Sequence, residues 1–304
     1  MSRKTGELVI REKEISVSGR WLKTARVVEE WYEDLDDPEC LIVDLINSDL
    51  KADLFTFWQR PPNTQPRYLY HTEWESIAVL PVTTYGSWLK TQINCKPRNL
   101  IVKARKKGVV VKSAAFDDDF VRGMTAIFNE TPVRQGRPFR HYGKSVETVR
   151  REFSRYLFRE ELIGAYFDNE LIGFIMLADA GQFAMLSQII SMVRHRDKSP
   201  NNALIAKAVE ICAERKLPSL VYAMWARGSL GEFKRHNGFM RLDLPRYYVP
   251  LNKRGRVALA LGLHRHPIDR IPETVVPVLR DLRSRFYALR YRAALPENSH
   301  RART

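Results

Sequence analysis

Short apolar runs and helical spacings follow one another in a regular order after residue 108. Apolar runs bounded by turn residues are typical of buried strands, whereas apolar residues three and four positions apart indicate helices. The strand-like runs are Val109–Val111, Leu162–Phe167, Leu171–Leu177, Met185–Met192, Leu220–Trp225 and Tyr247–Leu251. The helical patterns begin near Asp117, Ser145, Asn202 and Leu230. The order β-α-α-β-β-β-α-β-α-β predicts an α/β protein with one mixed sheet and helices on both of its faces.

The pattern before residue 99 is different, because acidic helical stretches are mixed there with strand-like runs. The predicted elements are helices at Val27–Leu35 and Cys40–Ile46, strands at Leu54–Trp58 and Ser76–Val82, and a helix from Ser87 to Lys107. Three units follow from these changes of pattern. They are an N-terminal α/β region (1–99), a central α/β domain (100–251) and a basic C-terminal helical extension (252–304).

The composition is that of a folded globular protein, with 44% apolar, 11% aromatic and 28% charged residues. It excludes disordered, collagen-like and low-complexity classes. The longest apolar run, Leu171–Ala178, is too short to span a bilayer, and no apolar signal core follows the N-terminus. We expect a soluble, cytoplasmic protein. The three cysteines lack CxxC spacing, and His264-x-His266 has no evident partner ligands, so no metal site is predicted.

Positive charge is concentrated in the last two thirds of the chain. The net charge of +15 divides into −2 for residues 1–99, +9 for residues 100–251 and +8 for residues 252–304. Such a surface favours RNA, anionic lipid or a phosphate-bearing cosubstrate, although many bacterial proteins are simply basic. In the extension, one helical face carries apolar residues surrounded by arginines (Val275, Leu279, Leu282, Phe286 and Leu289). We expect this face to pack on the protein's own core, with peripheral membrane contact or RNA docking as alternatives.

A basic loop lies between a predicted strand and a predicted helix. Its sequence, Arg194–Asn202, is RHRDKSPNN. The backbone N–H groups and the positive dipole end of a helix N-terminus attract phosphate. The residues expected to bind the phosphates of a cosubstrate are Arg194, Arg196, Lys198, Ser199, Asn201 and Asn202. A solvated basic surface is the alternative.

The order of elements and this loop together resemble the GNAT acyltransferase superfamily. Members carry an Arg/Gln-x-x-Gly-x-Gly/Ala loop that cradles the pyrophosphate of acyl-CoA. The matching positions here are Arg196, Ser199 and Asn201, so both glycines are replaced. Two further segments resemble the Fem-type aminoacyltransferases, RNLIVKARKKGV at Arg98–Val109 and FKRHNGF at Phe233–Phe239. The resemblance covers about residues 90–251, and residues 1–99 are too short for a complete second domain of this kind.

The segment Phe128–Gly143 is the most polar part of the chain, and in GNAT folds the corresponding loop lines the acceptor site. The residues expected to contact the acceptor are Arg134, Gln135, Arg137, Tyr142 and Trp225. The expected catalytic residues are Lys234 as the oxyanion contact, His141 or Glu130 as the base, and Tyr222 on a central strand. Lys234 matches a Fem-type lysine that lies beside the reacting carbonyl. A rigid structural role is the alternative for each.

Together these features predict a transferase that moves an acyl or aminoacyl group to an amine or hydroxyl by direct attack. The resemblance implies a CoA thioester as the usual donor of the superfamily, with charged tRNA as the alternative donor of the Fem-type enzymes. The acceptor would be a small molecule or a peptide, and no permanently bound cofactor is implied. A non-catalytic RNA- or phospholigand-binding protein is the other interpretation. A nuclease or phosphatase lacks the clustered carboxylates that two-metal chemistry requires.

Overall fold

The computed structural model describes residues 7–32, 34–155, 157–265 and 276–292. Its strands are β1 (Glu7–Ile10), β2 (Lys13–Ser18), β3 (Thr24–Val27), β4 (Leu54–Trp58), β5 (His71–Pro81), β6 (Val110–Ala114), β7 (Val133–Arg134), β8 (Arg137–Pro138), β9 (Glu160–Phe167), β10 (Glu170–Asp179), β11 (Ala184–Ser191), β12 (Ser219–Met224) and β13 (Met240–Pro250). Its helices are α1 (Pro38–Asn47), α2 (Tyr85–Ser87), a π-helical turn (Trp88–Gln92), α3 (Cys95–Lys106), α4 (Asp118–Asn129), α5 (Val146–Phe153), a 3₁₀ turn (Arg196–Lys198), α6 (Pro200–Glu214), α7 (Ser229–His236), α8 (Lys253–Ala260) and α9 (Val276–Arg292).

Side-chain caps fix where several helices begin. Asp117 accepts the backbone N–H of Phe120 at the start of α4, and Ser145 accepts that of Thr148 at the start of α5. These contacts satisfy N–H groups that have no partner inside the helix. Asp118 and Asp119 also place negative charge in the first turn of α4, where the helix dipole favours it.

The sheet has eleven strands in the order β1-β2-β3-β4-β13-β5-β12-β11-β10-β9-β6. Strand β13 lies between β4 and β5 and pairs antiparallel with both, so segments from both ends of the chain share the sheet. From β6 onward the order of the main elements is the one predicted, and the expected mixed α/β class is confirmed.

Helices cover both faces of the sheet and divide the core. One cluster packs α3 and α6 on the central strands and includes Leu186, Ile205 and Leu220. On the opposite face, α4 and α5 pack on β9–β11 through residues such as Phe128 and Phe174. A third cluster joins α1 to β2–β4 and β13. The central strands are therefore fixed from both sides around the site.

Two predicted helices differ from the structure. Val27 ends β3, where it pairs with Ile15 and is buried, so the predicted helix at Val27–Leu35 is wrong. The predicted helix from Ser87 to Lys107 is interrupted at Ile93 and Asn94, which are extended. Pro97 explains the break, because its ring clashes with the carbonyl four residues earlier in a continuous helix but is tolerated in the first turn.

The C-terminal helix also departs from the expectation. The described apolar side chains Leu282, Phe286 and Leu289 of α9 are 58–66% exposed, so the expected packing of this face on the core is wrong for them. Val275 lies outside the described residues. Among the helices that the structure describes, none combines the length and the hydropathy needed to cross a membrane.

Candidate functional site

Two neighbouring strands separate at the centre of the sheet. Parallel strands β11 and β12 pair only near their starts, where Ala184 opposes Leu220 and Met185 opposes Val221. Strand β11 carries an extra residue, Ser187, opposite β10. Bulges of this kind bend a strand and often lie beside active sites. The second halves of β11 and β12 therefore border an opening in the sheet.

Lys234 turns back onto one edge of this opening. Its side chain is almost fully buried, and Nζ donates to the carbonyl oxygens of Tyr222 (2.6 Å) and Met224 (2.7 Å). Nζ also lies 4.2 Å from the centre of the Tyr222 ring. Burial lowers the pKa of Lys234 to about 8. An ammonium has three N–H donors, so one remains after the two carbonyl contacts.

The backbone of β12 produces this geometry. Ala223, between the two carbonyls, has a φ of 48°, and the register with β5 shifts across it. A left-handed alanine is unfavourable and is held in place only by surrounding structure. At this bulge, the carbonyls of Tyr222 and Met224 both point at the ammonium of Lys234.

The FKRHNGF segment also has a structural role. Gly231 in α7 packs so closely on Ala226 that a Cβ would lie 2.0 Å from the Ala226 carbonyl oxygen. The buried Asn237 side chain donates to the Phe233 carbonyl (2.7 Å) and accepts from Asn202 Nδ2 (3.3 Å). These contacts fix α7 against β12 and against the start of α6. They set the depth at which Lys234 enters the core.

The basic loop after β11 is folded onto itself. Glu130 accepts the N–H groups of Val193 (2.6 Å) and Arg194 (2.9 Å). Four further amides of the loop donate to carbonyls of the same loop, namely those of Arg196, Lys198, Ser199 and Asn202. Pro200 has no backbone N–H to donate. Most amides expected to cradle a pyrophosphate thus already have partners.

The cations of the loop also have local partners. Arg194 pairs with Glu170, while Lys198 Nζ lies 3.2 Å from His195 Nδ1 and 4.4 Å from the centre of the Phe167 ring. Arg196 is exposed. Ser199 makes no side-chain cap and has a φ of 57°.

The remaining polar residues of the loop are Asn201 and Asn202. The Asn202 side chain is buried against Asn237, and the buried Oδ1 of Asn201 has no hydrogen-bond partner among the described residues. The structure therefore brings the six predicted phosphate-binding residues into one loop, but the side chains of Arg194, Lys198 and Asn202 make contacts within the protein.

The side chain of Arg134 points into the protein and not from the acceptor loop into solvent. Its guanidinium donates to the carbonyls of Ser191 (2.8 Å) and Ile127 (2.9 Å) and pairs with Glu130 (3.2 Å). Burial lowers the pKa of Arg134. Arg134 and Glu130 therefore lock α4 to the end of β11, and the carboxylate of Glu130 is occupied by its three contacts.

Three more of the predicted acceptor residues, Gln135, Arg137 and Tyr142, lie in a tight hairpin or shortly after it. Strands β7 and β8 are joined by Gln135 and Gly136, which both have positive φ angles. This is the geometry of a two-residue hairpin turn. Arg137 is exposed, and Tyr142 is 41% exposed. The polar loop predicted at 129–144 thus contains a hairpin.

His141 is buried and neutral near pH 7. Its ring stacks on Phe128 at 4.7 Å, and Arg140 Nε donates to His141 Nε2 at 2.8 Å. Burial, and then the charges of Arg140 and Lys144, lower the pKa of His141 to about 4. A group with this pKa is a weak proton acceptor at neutral pH.

His141 lines a cleft of about 730 Å³ beside the bulge of β11. The lining side chains are mostly basic or polar and include Arg140, Lys144, Arg151, Arg155, Glu152, Glu160, Ser187 and Gln188. The cleft therefore combines a positive wall with two carboxylates. Because Gln188 belongs to β11, the cleft and the opening beside Lys234 share that strand.

Glu160 is a candidate that the sequence analysis did not identify. Its Oε1 accepts from Ser187 Oγ (2.5 Å) and from the Tyr32 hydroxyl (3.2 Å). Burial raises the pKa of Glu160. A higher pKa makes the carboxylate a stronger proton acceptor, as a general base requires. The two adjacent acids Glu160 and Glu161 at the start of an apolar strand were the available signal.

Tyr222 and Trp225 lie at the end of β12. Burial raises the pKa of Tyr222, so its hydroxyl stays protonated and cannot act as a base near neutral pH. The Trp225 amide donates to the Ser76 carbonyl at 2.7 Å, which keeps the strand end attached to β5. Both residues therefore border the opening from the β12 side.

His264 has partners that the sequence did not reveal. Its Nε2 lies 2.8 Å from Glu73 Oε1, and His71 Nε2 lies 3.7 Å from the same oxygen. Arg265 Nε donates to that oxygen as well, at 2.7 Å. These contacts form an ion-pair cluster remote in sequence from Lys234. His266 lies outside the described residues.

Comparison with solved structures agrees with the architecture just described. FemX matches with a TM-score of 0.55 at 10% identity, over 86% of this chain and 90% of that chain. The C-terminal domain of a putative lysylphosphatidylglycerol synthetase from Agrobacterium fabrum gives 0.55 at 13% identity, covering 84% and 86% of the two chains. L-PGS from Bacillus licheniformis gives 0.54 at 13% identity, covering 86% and 88%.

The chain has a mixed α/β fold like that of FemX. The relationship expected from Arg98–Val109 and Phe233–Phe239 is confirmed at the level of fold. No protein-family model and no curated protein matches the chain by sequence. Within this GNAT-like fold, the separation of β11 and β12, the bulge at Ser187 and the buried Lys234 are properties of this chain's own residues.

Proposed function

We propose that the protein transfers an aminoacyl group from charged tRNA to an amine or hydroxyl of an acceptor held in the cleft. The observation that carries the proposal is the buried ammonium of Lys234 at the opening between β11 and β12. The GNAT-like fold and the likeness to FemX and L-PGS support a transferase. The basic cleft supports an acceptor that carries negative charge.

Lys234 supplies electrostatic stabilisation in the proposed reaction. The acceptor's amine or hydroxyl attacks the carbonyl carbon of the aminoacyl ester, and the negative charge that develops on the carbonyl oxygen receives the third N–H of Lys234. Two carbonyl contacts hold the ammonium in place before the reaction, so little reorganisation is required. The ester C–O bond then breaks, and the ribose hydroxyl leaves.

Glu160 is the proposed base. The acceptor loses its proton to the Glu160 carboxylate. Glu160 later gives this proton to the leaving ribose oxygen, so Glu160 is a carboxylate again at the end of the reaction. The raised pKa of Glu160 favours this exchange, and Ser187 and Tyr32 orient the carboxylate. Neutral His141, held by Arg140 and Phe128, shapes the wall of the cleft.

The closed loop after β11 favours charged tRNA over acyl-CoA as the donor. A pyrophosphate approaching the amides of Val193 and Arg194 would meet the carboxylate of Glu130. The side chains at Ser199 and Asn201 replace the two glycines that allow close approach of a phosphate. The basic excess beyond residue 99 suits the tRNA backbone.

A CoA thioester is the second candidate donor, and a specific observation favours it. Exposed Arg196 lies beside the N-terminus of α6, where the helix dipole attracts an anion. The reaction would be the same, with a thiol as the leaving group.

The experiment supplies each donor to the purified chain with hydroxylamine as a small amine acceptor. We expect hydroxamate to form from tRNA charged with a mixture of labelled amino acids, faster than in a protein-free control, and not from acetyl-CoA. If hydroxamate formed only from acetyl-CoA, the donor would be a CoA thioester and not charged tRNA. Protein-independent rates with both donors would refute the transferase and favour a non-catalytic RNA- or phospholigand-binding protein.

A further inference from the structure

One face of α9 is apolar and exposed to solvent. Val278, Leu282, Phe286 and Leu289 are 58–66% exposed. At about 100° of rotation per residue, their Cα positions fall within an arc of roughly 80° on the helix. We call these four residues the apolar stripe. Scattered exposed apolar residues are ordinary, but a continuous stripe along a helix marks an interaction surface.

The helix rests on the protein by a different face. Among the α9 side chains that the structure describes, the half-buried ones are Arg283, Tyr287 and Tyr291, which follow one another at four-residue spacing. On that side α9 packs against the β7–β8 hairpin. The apolar stripe is thus turned away from the part of the protein that holds the helix.

Arginines border the stripe on both sides. Arg285 and Arg290 are exposed and lie just beyond the two edges of the arc, and Arg285 also pairs with Asp281 at 2.9 Å. The helix carries five arginines and one aspartate. Long basic side chains beside an apolar stripe can reach lipid phosphates while the stripe enters the acyl boundary.

We propose that α9 binds the surface of an anionic lipid bilayer through the apolar stripe. Charge decides between a bilayer and a second copy of the chain, because two copies joined at the stripe would bring the bordering arginines together. An anionic bilayer instead neutralises them, and each nearby arginine strengthens binding. The whole extension from residue 252, α9 included, carries 12 basic and 4 acidic residues, which favours the same anionic surface.

The contact would tether the protein to the bilayer through a helix that packs beside the segment leading into the cleft. The β7–β8 hairpin that holds α9 leads directly into Arg140, His141 and Lys144, which line the cleft. This consequence rests on the proposed function, whereas the membrane contact itself rests on α9 alone. A binding measurement without any donor therefore tests the contact separately from catalysis.

The test is cosedimentation of the full chain with vesicles of phosphatidylcholine, with and without about one third phosphatidylglycerol. We expect binding to the anionic vesicles, reduced about tenfold or more by Leu282→Ser/Phe286→Ser and also weakened by Arg285→Glu/Arg290→Glu. The matched control is Val257→Ser/Leu261→Ser, in α8 and directly after it, where the side chains are 58% and 65% exposed. Because all of these positions are exposed, the variants should keep the melting temperature of the parent chain.

Two outcomes would overturn the proposal. One is anionic-vesicle binding that is absent, or that is the same for the stripe variant and the control. The other is a concentration-dependent dimer in size-exclusion chromatography that the Leu282→Ser/Phe286→Ser variant abolishes, because the stripe would then belong to a second copy of the chain.

Discussion

The segments that follow β11 and β12 border the same opening, yet they have opposite characters. After β11, the loop offers six amides to Glu130 and to its own carbonyls. After β12, the chain turns into α7 and returns Lys234 to the strand end, where two carbonyls use two of the three N–H donors of the ammonium. On the β11 side, most backbone N–H groups are bound within the protein. On the β12 side, the Lys234 ammonium has one N–H that the two carbonyls do not use.

This difference separates binding from chemistry within the fold. A loop in which most amides are already paired offers few N–H groups to a pyrophosphate without rearrangement, since each amide N–H makes one good hydrogen bond. A buried ammonium with one free donor can stabilise a developing oxyanion without such a change.

The largest expected effect comes from removing the ammonium. Lys234→Met keeps an unbranched side chain that is one atom shorter and deletes the donor, so we expect the rate of hydroxamate formation from charged tRNA to fall about 10²- to 10³-fold, as for the loss of an oxyanion-hole donor. The measurement is the single-turnover rate at saturating protein.

Lys106→Met on α3 is the matched control, because that lysine is exposed and remote from β12. We expect the control and the loop variant Arg196→Ala to stay within about threefold of the parent rate with charged tRNA. If Lys234→Met and Arg196→Ala reduced the transfer rate equally, the β11 side and the β12 side of the opening would not differ in their roles. Undiminished transfer by Lys234→Met would exclude Lys234 from the reaction.

The sequence predicts the fold better than the site, for a physical reason. Strands such as β10 and helices such as α4 are specified by local apolar spacing and by caps such as Asp117. The break at Ile93 was also encoded locally, by Pro97. Long-range strand neighbours are not, and the insertion of β13 between β4 and β5 depends on pairings more than 160 residues apart.

Site roles depend on which polar groups are already paired in three dimensions. Lys234 and Arg134 were both identified from the sequence, but Lys234 lies against the end of β12 beside the opening, whereas the terminal N–H groups of Arg134 are bound to Ser191, Ile127 and Glu130. Glu160 was missed because its partners Ser187 and Tyr32 are distant in the chain. No spacing rule reveals such partners.

A second prediction uses the pH dependence of stability to test the burial of Lys234. Its pKa is about 8 in the folded protein, below the ordinary value of 10.5. Between pH 8 and 10.5 the unfolded chain therefore binds more protons, and the free energy of unfolding should rise with pH, by about 3 kcal/mol in total. Below pH 8 this contribution should not vary.

The measurement is urea unfolding of the parent chain and of Lys234→Met at several pH values. The difference between the two free energies of unfolding cancels groups that titrate in both chains. A difference that stays constant between pH 8 and 10.5 would mean that the ammonium is as well solvated in the folded chain as in the unfolded one. The two sides of the opening would then differ less than their hydrogen bonds indicate.

The smallest expected effect is on the closed loop. Glu130→Gln retains the shape of the side chain but weakens its contacts with the amides of Val193 and Arg194 and with Arg134, so we expect a loss of about 1–2 kcal/mol in the free energy of unfolding. If the carboxylate is what keeps anions out, the variant should also bind CoA and inorganic pyrophosphate several-fold more tightly than the parent chain, as measured by isothermal titration calorimetry. Asp119→Asn, at an exposed acid of α4, the helix that ends just before Glu130, provides the control for the change in charge. Tighter binding in both variants would reflect net charge alone, whereas tighter binding in Glu130→Gln only would assign the closure of the loop to one side chain.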